Sequence, residues 1–156
     1  MIRLSRLTDY GIVLMVHLAR DRGGAPCNAR SLAAETDLPA PVVSKILKSL
    51  ARDGLLASQR GSKGGYTLVR PAEDISVPEM ITALEGPISL TACTVHPGSC
   101  DQEPSCNVRE PWQQINAAVQ DALSRISLAD LASPRRAGAA IPLHSLAVEL
   151  ESAGPE

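Results

Sequence analysis

The sequence predicts a mainly α-helical fold with a small β wing: a winged helix-turn-helix followed by a long helix. Three observations lead to this fold class. The 156 residues include only three aromatic side chains, so the core must be aliphatic, which suits helices. Residues 28–70 follow the order helix, break, helix, hairpin. Apolar residues then recur at spacings of three and four between positions 112 and 126.

The first helix is predicted over Leu4–Arg20, because apolar residues there repeat with helical spacing. The stripe consists of Leu7, Tyr10, Gly11, Leu14 and Leu18. Gly23 and Gly24 follow and would end the helix.

Two helices joined by a short break are predicted next. "NARSLAAET" is a short helix that begins near Asn28 or Ser31, and "DLPAP" interrupts it because proline lacks a backbone donor. The second helix extends from Pro41 to about Asp53, and Gly54 ends it. Such a pair forms a helix-turn-helix, whose second helix can enter the DNA major groove.

The remaining elements are a hairpin and three further helical segments. "LLASQR" and "YTLVR" alternate as strands around the turn "GSKGG", which forms the wing. A helix over Val77–Glu85 begins at the N-cap Ser76, and a long helix is predicted over Glu110–Ile126, before a capped turn from Ser127. The last residues are rich in Ala, Pro and Gly, so we expect a mobile tail over 133–156.

The charges are distributed unevenly along the chain. Residues 1–70 contain eleven Lys and Arg against five Asp and Glu, a balance of +6. Residues 71–156 contain four against twelve, a balance of −8, which yields the net charge of −2. This pattern predicts a basic half that faces a polyanion and an acidic half that does not. Charges scattered over solvated faces are the alternative.

The basic half predicts contacts with double-stranded DNA, because cations on the second helix and wing can neutralise phosphates. Sequence readout would come from the exposed start of that helix. The predicted DNA-binding residues are Arg30, Pro41, Val42, Ser44, Lys45, Lys48, Arg60 and Lys63. The wing resembles a phosphate-binding loop, but it lacks the Gly-x4-Gly-Lys-Ser/Thr order, which excludes that nucleotide motif.

Three of the four cysteines, Cys93, Cys100 and Cys106, fall within fourteen residues with the spacing C-x6-C-x5-C. The chain has no apolar run long enough to cross a membrane and no signal-peptide pattern, so we expect a cytoplasmic protein with reduced thiols and no membrane partner. Zinc sites usually contain closely spaced cysteine pairs, whereas wider spacing suits an iron–sulfur cluster. Three surface thiols, or a redox disulfide and a third cysteine, remain alternatives.

Three thiolates need a fourth ligand, and several candidates stay open on the residues alone. His96 lies inside the loop, and Asp9 is an acid near the start of an otherwise apolar helix. His17 and His144 are weaker candidates. Cys27 lies before the second helix, and we expect it to fill a small apolar space.

The combination of these segments resembles the IscR/NsrR-type winged-helix regulators. The resemblance rests on "LTDYGIVLMVHLA", on "SLAAETDLPAPVVSKILKSLARDGLL", on the wing "RGSKGGY", and on a helix ending in "ALEG" before three cysteines. It covers about residues 1–132. Within that family the chain is most similar to regulators of SUF-system iron–sulfur cluster assembly.

The resemblance implies a homodimer formed through the long helix, and a cluster held by Cys93, Cys100 and Cys106. A 2Fe–2S cluster is the first expectation and a 4Fe–4S cluster the second. The IscR branch has a histidine where this chain has Arg109, whereas the NsrR branch uses an aspartate that matches Asp9 of the partner subunit. Asp9 is therefore the predicted fourth ligand, and His96 is the second choice.

The predicted organisation has four parts: a DNA-binding domain over 1–86, a cluster-binding loop over 87–109, dimerisation helices over 110–132, and the tail. The predicted function is a cluster-dependent repressor of iron–sulfur assembly genes. A nitric-oxide-sensing or redox-sensing repressor is one alternative, and a thiol-redox or zinc regulator is another. An electron-transfer or cluster-carrier protein is the alternative from another class. No acid–base pair outside the loop indicates an enzyme.

Overall fold

The computed structural model describes residues 4–20, 25–61, 64–96 and 98–133. Across these residues the chain is mostly helical with one two-stranded antiparallel sheet, which confirms the predicted fold class. None of the described helices is both long and apolar enough to traverse a lipid bilayer. The elements are α1 (Arg6–Arg20), α2 (Ala29–Thr36), α3 (Ala40–Arg52), β1 (Leu56–Gln59), β2 (Gly65–Leu68), α4 (Val77–Glu85), α5 (Ala92–Val95), α6 (Arg109–Ser124) and α7 (Leu128–Ala132).

The core lies between α1, α3 and α4, and α7 closes it beside α1. Every buried position of α3 is aliphatic, so the helix presents one apolar face inward and a polar face outward. Each such side chain contributes about 1.5–3 kcal/mol when it leaves water. The residues of the core with no exposed surface are Leu14, Met15, Leu32, Val43, Ile46, Leu47, Leu50, Ile75, Met80 and Leu128.

Helices α1 and α4 approach closely because position 11 has no side chain. A Cβ at Gly11 would lie 2.3 Å from Leu84 Cδ1. At the neighbouring end of the contact, the Glu85 carboxylate accepts hydrogen bonds from the Ser5 amide (2.7 Å) and from the hydroxyl of the buried Thr8. Hydrogen bonding from the Ser5 side chain, then from the Thr8 hydroxyl and less from the Ser5 amide, holds the pKa of Glu85 below its usual value. The carboxylate thus ties the start of α1 to the end of α4.

The turn between α2 and α3 is defined by caps. Asn28 accepts a hydrogen bond from the Ser31 amide at 2.8 Å and begins α2. Asp37 adopts the left-handed conformation with φ of 54°, and Leu38 donates to the Ala33 carbonyl, which ends the helix. Pro39 then precedes α3 and blocks helical continuity.

The wing is anchored to the body by the residues before α2. Strands β1 and β2 pair from Leu56↔Leu68 to Gln59↔Gly65. Cys27 adds a third backbone segment, because its amide and carbonyl both bond to Tyr66, at 3.0 and 2.9 Å. A Cβ at Gly65 would lie 2.5 Å from the Cys27 carbonyl oxygen, so glycine is required there. Cys27 is half-buried against the core, as expected for a small filler.

A second polar link fastens the end of the wing to α4. Arg70 donates to the Asp74 carbonyl at 3.0 Å and pairs with Glu79 at 2.7 Å, while Glu79 completes a capping box with Ser76. Burial alone would raise the pKa of Glu79, but the bonds from Ser76 and Arg70 outweigh it and lower that pKa.

The observed boundaries differ from the predicted ones mainly at helix ends. Helix α1 begins at Arg6 rather than Leu4, α3 covers Ala40–Arg52, and α6 covers Arg109–Ser124. Helix α6 ends before Ile126. The Ile126 carbonyl accepts a hydrogen bond from the Val77 amide at 2.9 Å instead of one from within the helix. The predicted caps Ser76 and Ser127 are confirmed. Gly23, Gly24 and all but the first residue of the predicted tail lie outside the described residues.

Candidate DNA-binding face and cysteine segment

The outer face of α3 carries the cations that the sequence assigned to DNA. Pro41, Lys45 and Lys48 are exposed, whereas Ser44 is half-exposed. Val42 is also half-buried and packs against the core, so only part of its side chain is accessible. The exposed set lies along one side of the helix whose other side is buried in the core. That arrangement fixes the direction in which the two lysines project.

Other predicted DNA contacts lie on neighbouring elements. Arg30 is exposed in the first turn of α2, and Arg60 is exposed directly after β1 at the base of the wing. Lys63, at the predicted wing tip, lies outside the described residues. Arg52 instead donates to Ser49 and pairs with Asp53 at the end of α3. The exposed cations of the predicted DNA-binding set therefore come from α2, α3 and the base of the wing.

The cysteine segment, residues 87–109, joins α4 to α6. Its start is held by two side chains of α6. Asn116, the one buried residue of that helix, accepts a hydrogen bond from the Leu90 amide (3.1 Å), and its amide nitrogen lies 3.5 Å from the Ile88 carbonyl oxygen. Gln120 donates to the same carbonyl at 3.0 Å. The backbone three residues before Cys93 is thus fixed against α6.

Cys93 lies in the one-turn helix α5 rather than in an irregular loop. Hydroxyl groups of Ser89, Thr91 and Thr94 bond to one another and to the Thr91 carbonyl at the start of this turn. Thr91 Oγ1 also lies 3.4 Å from Cys93 Sγ. The sequence did not predict this helix, because four residues are too few to show a periodic apolar pattern.

One carboxylate organises the second half of the segment. Glu103 Oε2 accepts a hydrogen bond from the Gly98 amide at 2.6 Å, and Glu103 Oε1 lies 2.9 Å from Arg109 Nη2. Only 9% of the Glu103 side chain is exposed. Cys100 and Cys106 both lie between the residues that this carboxylate joins.

The donor set suits an iron–sulfur cluster in kind. Cys93, Cys100 and Cys106 are free thiols, half-exposed or exposed, and several thiolates on one segment are the usual cluster ligands. Across the described residues, however, no three Cys, His, Asp or Glu side chains converge as they would around a single metal ion. A cluster spans more space than one ion, and the predicted fourth donor belongs to a second chain.

The two fourth-ligand candidates are accessible. Asp9 is exposed in the first turn of α1, and its carboxylate has no bonding partner among the described residues. His96 is exposed at the end of α5. His17 lies 2.5 Å from Glu35 and so bridges α1 to α2, which gives it a structural contact. His144 lies outside the described residues.

Helix α6 and its N-cap residue Val108 expose apolar side chains along one stripe. Val108, Trp112 and Ile115 are 48%, 39% and 46% exposed, whereas Asn116 faces the protein. Val119, Leu123 and Ile126 continue the predicted stripe but are half-buried. An apolar stripe of this kind is energetically unfavourable in water and is typical of an interaction surface.

Sequence reasoning missed three residues that organise the site: Asn116, Glu103 and Arg109 as a partner of Glu103. Asn116 and Gln120 are separated by four residues and share a face with Leu123, which is the one available sequence signal. Glu103 and Arg109 are joined across irregular backbone, where sequence spacing predicts no contact.

Comparisons with known proteins identify a family and related structures. Residues 4–134 match the model of the Rrf2 family, described as an iron-dependent transcriptional regulator. The regulator CymR of Bacillus subtilis is 34% identical over 131 residues, which cover 84% of this chain and 90% of CymR. The solved structure of that CymR, described as a global cysteine regulator, matches with a TM-score of 0.68 and 31% identity over 87% of this chain and all of that one. The structure of T. potens IscR matches with a TM-score of 0.63 and 28% identity over 83% and 85%.

Proposed function

Because the chain belongs to the Rrf2 family of iron-dependent transcriptional regulators, we propose that it represses iron–sulfur cluster assembly genes in response to a cluster held by its own cysteines. It is a regulator rather than an enzyme. The observation that carries the proposal is the set of three free thiols on a segment tied to α6 at both ends. Because its proposed partner is DNA, we propose that the protein acts in the cytoplasm.

The DNA-binding part of the proposal rests on α3 and the wing. Exposed Lys45 and Lys48 project from the face of α3 opposite the core, and Arg30 on α2 and Arg60 at the base of the wing are exposed as well. Cations in this arrangement neutralise phosphates, while the start of α3 can reach base edges. One such face reads few bases, so two copies are needed for a specific site.

The second copy fits the exposed stripe of α6. Val108, Trp112 and Ile115 would be covered if α6 packed on α6 of another chain, which removes apolar surface from water. The proposed homodimer would also allow Asp9 of the partner subunit to approach the three cysteines, since the Asp9 carboxylate has no bonding partner among the described residues.

The proposed switch depends on how the cysteine segment is held. A cluster, 2Fe–2S rather than 4Fe–4S in our proposal, supplies a centre that responds to iron supply, oxidants or nitric oxide when bound. Cys93, Cys100 and Cys106 would hold it, with Asp9 of the partner subunit or else His96. With these thiols engaged, the segment and the partner's α1 are tied together. With the thiols free, the two subunits' bodies, each carrying its own α3, can reposition as units, and a change of a few kcal/mol alters DNA affinity.

The experiment that tests the cluster is a visible spectrum with iron and sulfide assays on anaerobically purified protein, beside the Cys93→Ala and Asp9→Ala variants. We expect a brown protein with stoichiometric sulfide, which Cys93→Ala loses and Asp9→Ala retains weakly. If the spectrum of Asp9→Ala is unchanged, Asp9 is not the fourth cluster ligand, and His96 becomes the candidate. Protein that stays colourless after reconstitution would overturn the cluster.

The DNA face is tested by Lys45→Ala and Lys48→Ala in titrations of a mixed-sequence duplex at several salt concentrations. Each variant should lower affinity several-fold and reduce the slope of log affinity against log salt by about 1. Arg125→Ala, at the far end of α6, is the matched control and should change neither quantity. If all three variants show the same DNA affinity and salt dependence, the assignment of α3 to DNA binding is wrong and a cluster-carrier protein is favoured.

A second candidate function is a cluster-free thiol regulator. The observation that favours it is the likeness to CymR, which is described as a cysteine regulator. This function uses the same DNA face but predicts a colourless protein whose DNA affinity changes when the three thiols are oxidised or bind zinc.

A further inference from the structure

We propose that Glu103 and Arg109 form a clasp that positions Cys100 and Cys106 before any ligand arrives. The clasp consists of the Glu103 carboxylate, the Gly98 amide and the Arg109 guanidinium. This inference rests on the proposed function where it concerns a cluster. Its structural part stands independently, because the clasp is present in the chain alone.

The first step concerns the position of the carboxylate in the segment. Gly98 precedes Cys100 by two residues, and Arg109 follows Cys106 by three. Glu103 lies between the two cysteines and bonds to both flanking residues. One side chain therefore closes the part of the chain that contains both thiols, and it attaches that part to the first residue of α6.

The second step concerns burial and strength. The Glu103 side chain is 9% exposed, although it belongs to a segment without a fully buried residue in its described part. The Arg109 side chain is 40% exposed, so water is excluded mainly from the carboxylate side of the pair, and a charge-assisted bond shielded in this way is stronger than a fully exposed one. By contrast, Asp101 in the same turn is exposed, and its carboxylate bonds to no described residue.

The third step concerns the remaining donor. Arg109 Nε is buried and finds no hydrogen-bond partner among the described residues. Buried donors are normally satisfied, and the Arg109 Nε–H is available to an acceptor that the described residues do not supply. Arg109, Cys100, Glu103 and Gly98 line one open depression. A thiolate or an inorganic sulfide is an anionic acceptor of the kind that such a donor fits.

Local backbone bonds complete the preorganisation. The Glu103 amide donates to the Cys100 carbonyl at 3.0 Å, and the Cys106 amide lies 3.4 Å from the Glu103 carbonyl oxygen. Both cysteines are thus bonded through the backbone to the residue that carries the clasp. Loss of the carboxylate should loosen both thiols together, whereas loss of the neighbouring Asp101 carboxylate should not.

The test compares Glu103→Ala with Asp101→Ala, which removes an equal charge from the same turn. In cluster-free protein, hydrogen exchange of the Gly98 amide should become about tenfold faster in Glu103→Ala, because its acceptor is lost. In cluster-loaded protein, iron release to a chelator should accelerate by a similar factor, with a melting temperature close to that of wild type. Arg109→Lys, which keeps the cation, should retain most of the Gly98 protection.

The outcomes separate the clasp from the function. Wild-type exchange and release rates in Glu103→Ala would overturn the clasp while leaving the cluster intact. Faster exchange in a protein that never binds a cluster would support the clasp and overturn the proposed function. Equal acceleration by Asp101→Ala would also overturn the inference, since it would show a general charge effect.

Discussion

The helix-turn-helix body and the cysteine segment are held together by different forces. The body buries ten aliphatic and methionine side chains completely, and they come from α1, α2, α3, α4, α7 and residues around them. The described part of residues 87–109 buries none completely and relies on Asn116, the Ser and Thr hydroxyls, and Glu103. The body is therefore held by a close-packed apolar core, while the segment depends on a few hydrogen bonds and one ion pair.

This difference suits a sensor. A net hydrogen bond contributes about 0.5–1.5 kcal/mol, so a segment held by a handful of them can be rearranged by ligand binding. Internal rearrangement of a core of close-packed aliphatic residues would require more free energy than the loss of a few hydrogen bonds. The positions where the two regions meet, Asn116 on α6 and Glu85 at the end of α4, are where a change in the segment can reach the body.

The largest effect should follow a cavity in the body. Leu47→Ala removes a side chain with no exposed surface in α3 and should lower the free energy of unfolding by about 2–5 kcal/mol. Thermal or denaturant unfolding at fixed protein concentration measures this loss.

The matched control for that cavity is Cys100→Ala in the segment, measured on cluster-free protein. Cys100 is exposed, so its replacement should change the free energy of unfolding by no more than about 0.5 kcal/mol. Similar losses for the two variants would remove the contrast between body and segment.

The body could be predicted from sequence because its signals are local and repeated. The 3.6-residue spacing in α1 and α3, the prolines beside the turn, and the Ser76 and Ser127 caps placed helix ends within two residues. The exposed lysines of α3 follow from the same periodicity, since Val43, Ile46 and Leu47 must face inward. The fold class could therefore be predicted from apolar spacing, prolines and helix caps.

The segment could be predicted only in part. Its cysteines could be predicted as ligands from their residue type. Helix α5 and the Glu103–Arg109 pair could not be predicted, because they depend on irregular backbone that has no regular spacing in sequence. Asn116 reads in sequence as an ordinary exposed polar residue of an amphipathic helix, because nothing local shows that the backbone of Ile88 and Leu90 lies against it. Contacts between segments that are far apart in the chain produce no regular residue spacing in the sequence, so the sequence pattern does not predict them.

An intermediate effect should follow loss of the anchor on α6. Asn116→Ala removes the acceptor for the Leu90 amide and should lower the free energy of unfolding by about 1 kcal/mol. The larger consequence should be local: hydrogen exchange of the Leu90 amide should accelerate while amides of α3 keep their protection.

Gln120→Ala is the matched control for that anchor, because Gln120 also binds the Ile88 carbonyl but is exposed. It should leave Leu90 exchange near the wild-type rate. Equal acceleration across α3 in Asn116→Ala would show that the segment and the body open together, contrary to the separation proposed for them.

The smallest effect should come from Glu85, and it should depend on pH. Its pKa in the folded chain lies below the usual value because Ser5 and Thr8 bond to the carboxylate. A depressed pKa stabilises the fold above the unfolded pKa of about 4.3 and ceases to do so as pH falls through the folded pKa. Glu85→Gln should thus be less stable at pH 7, by no more than about 1 kcal/mol for a partly exposed group, and the difference should shrink below about pH 4. Unfolding curves at several pH values measure this, with the exposed Glu73→Gln as control. A pH-independent difference would mean that the loss comes from the changed hydrogen bonding of the amide rather than from removal of the Glu85 charge.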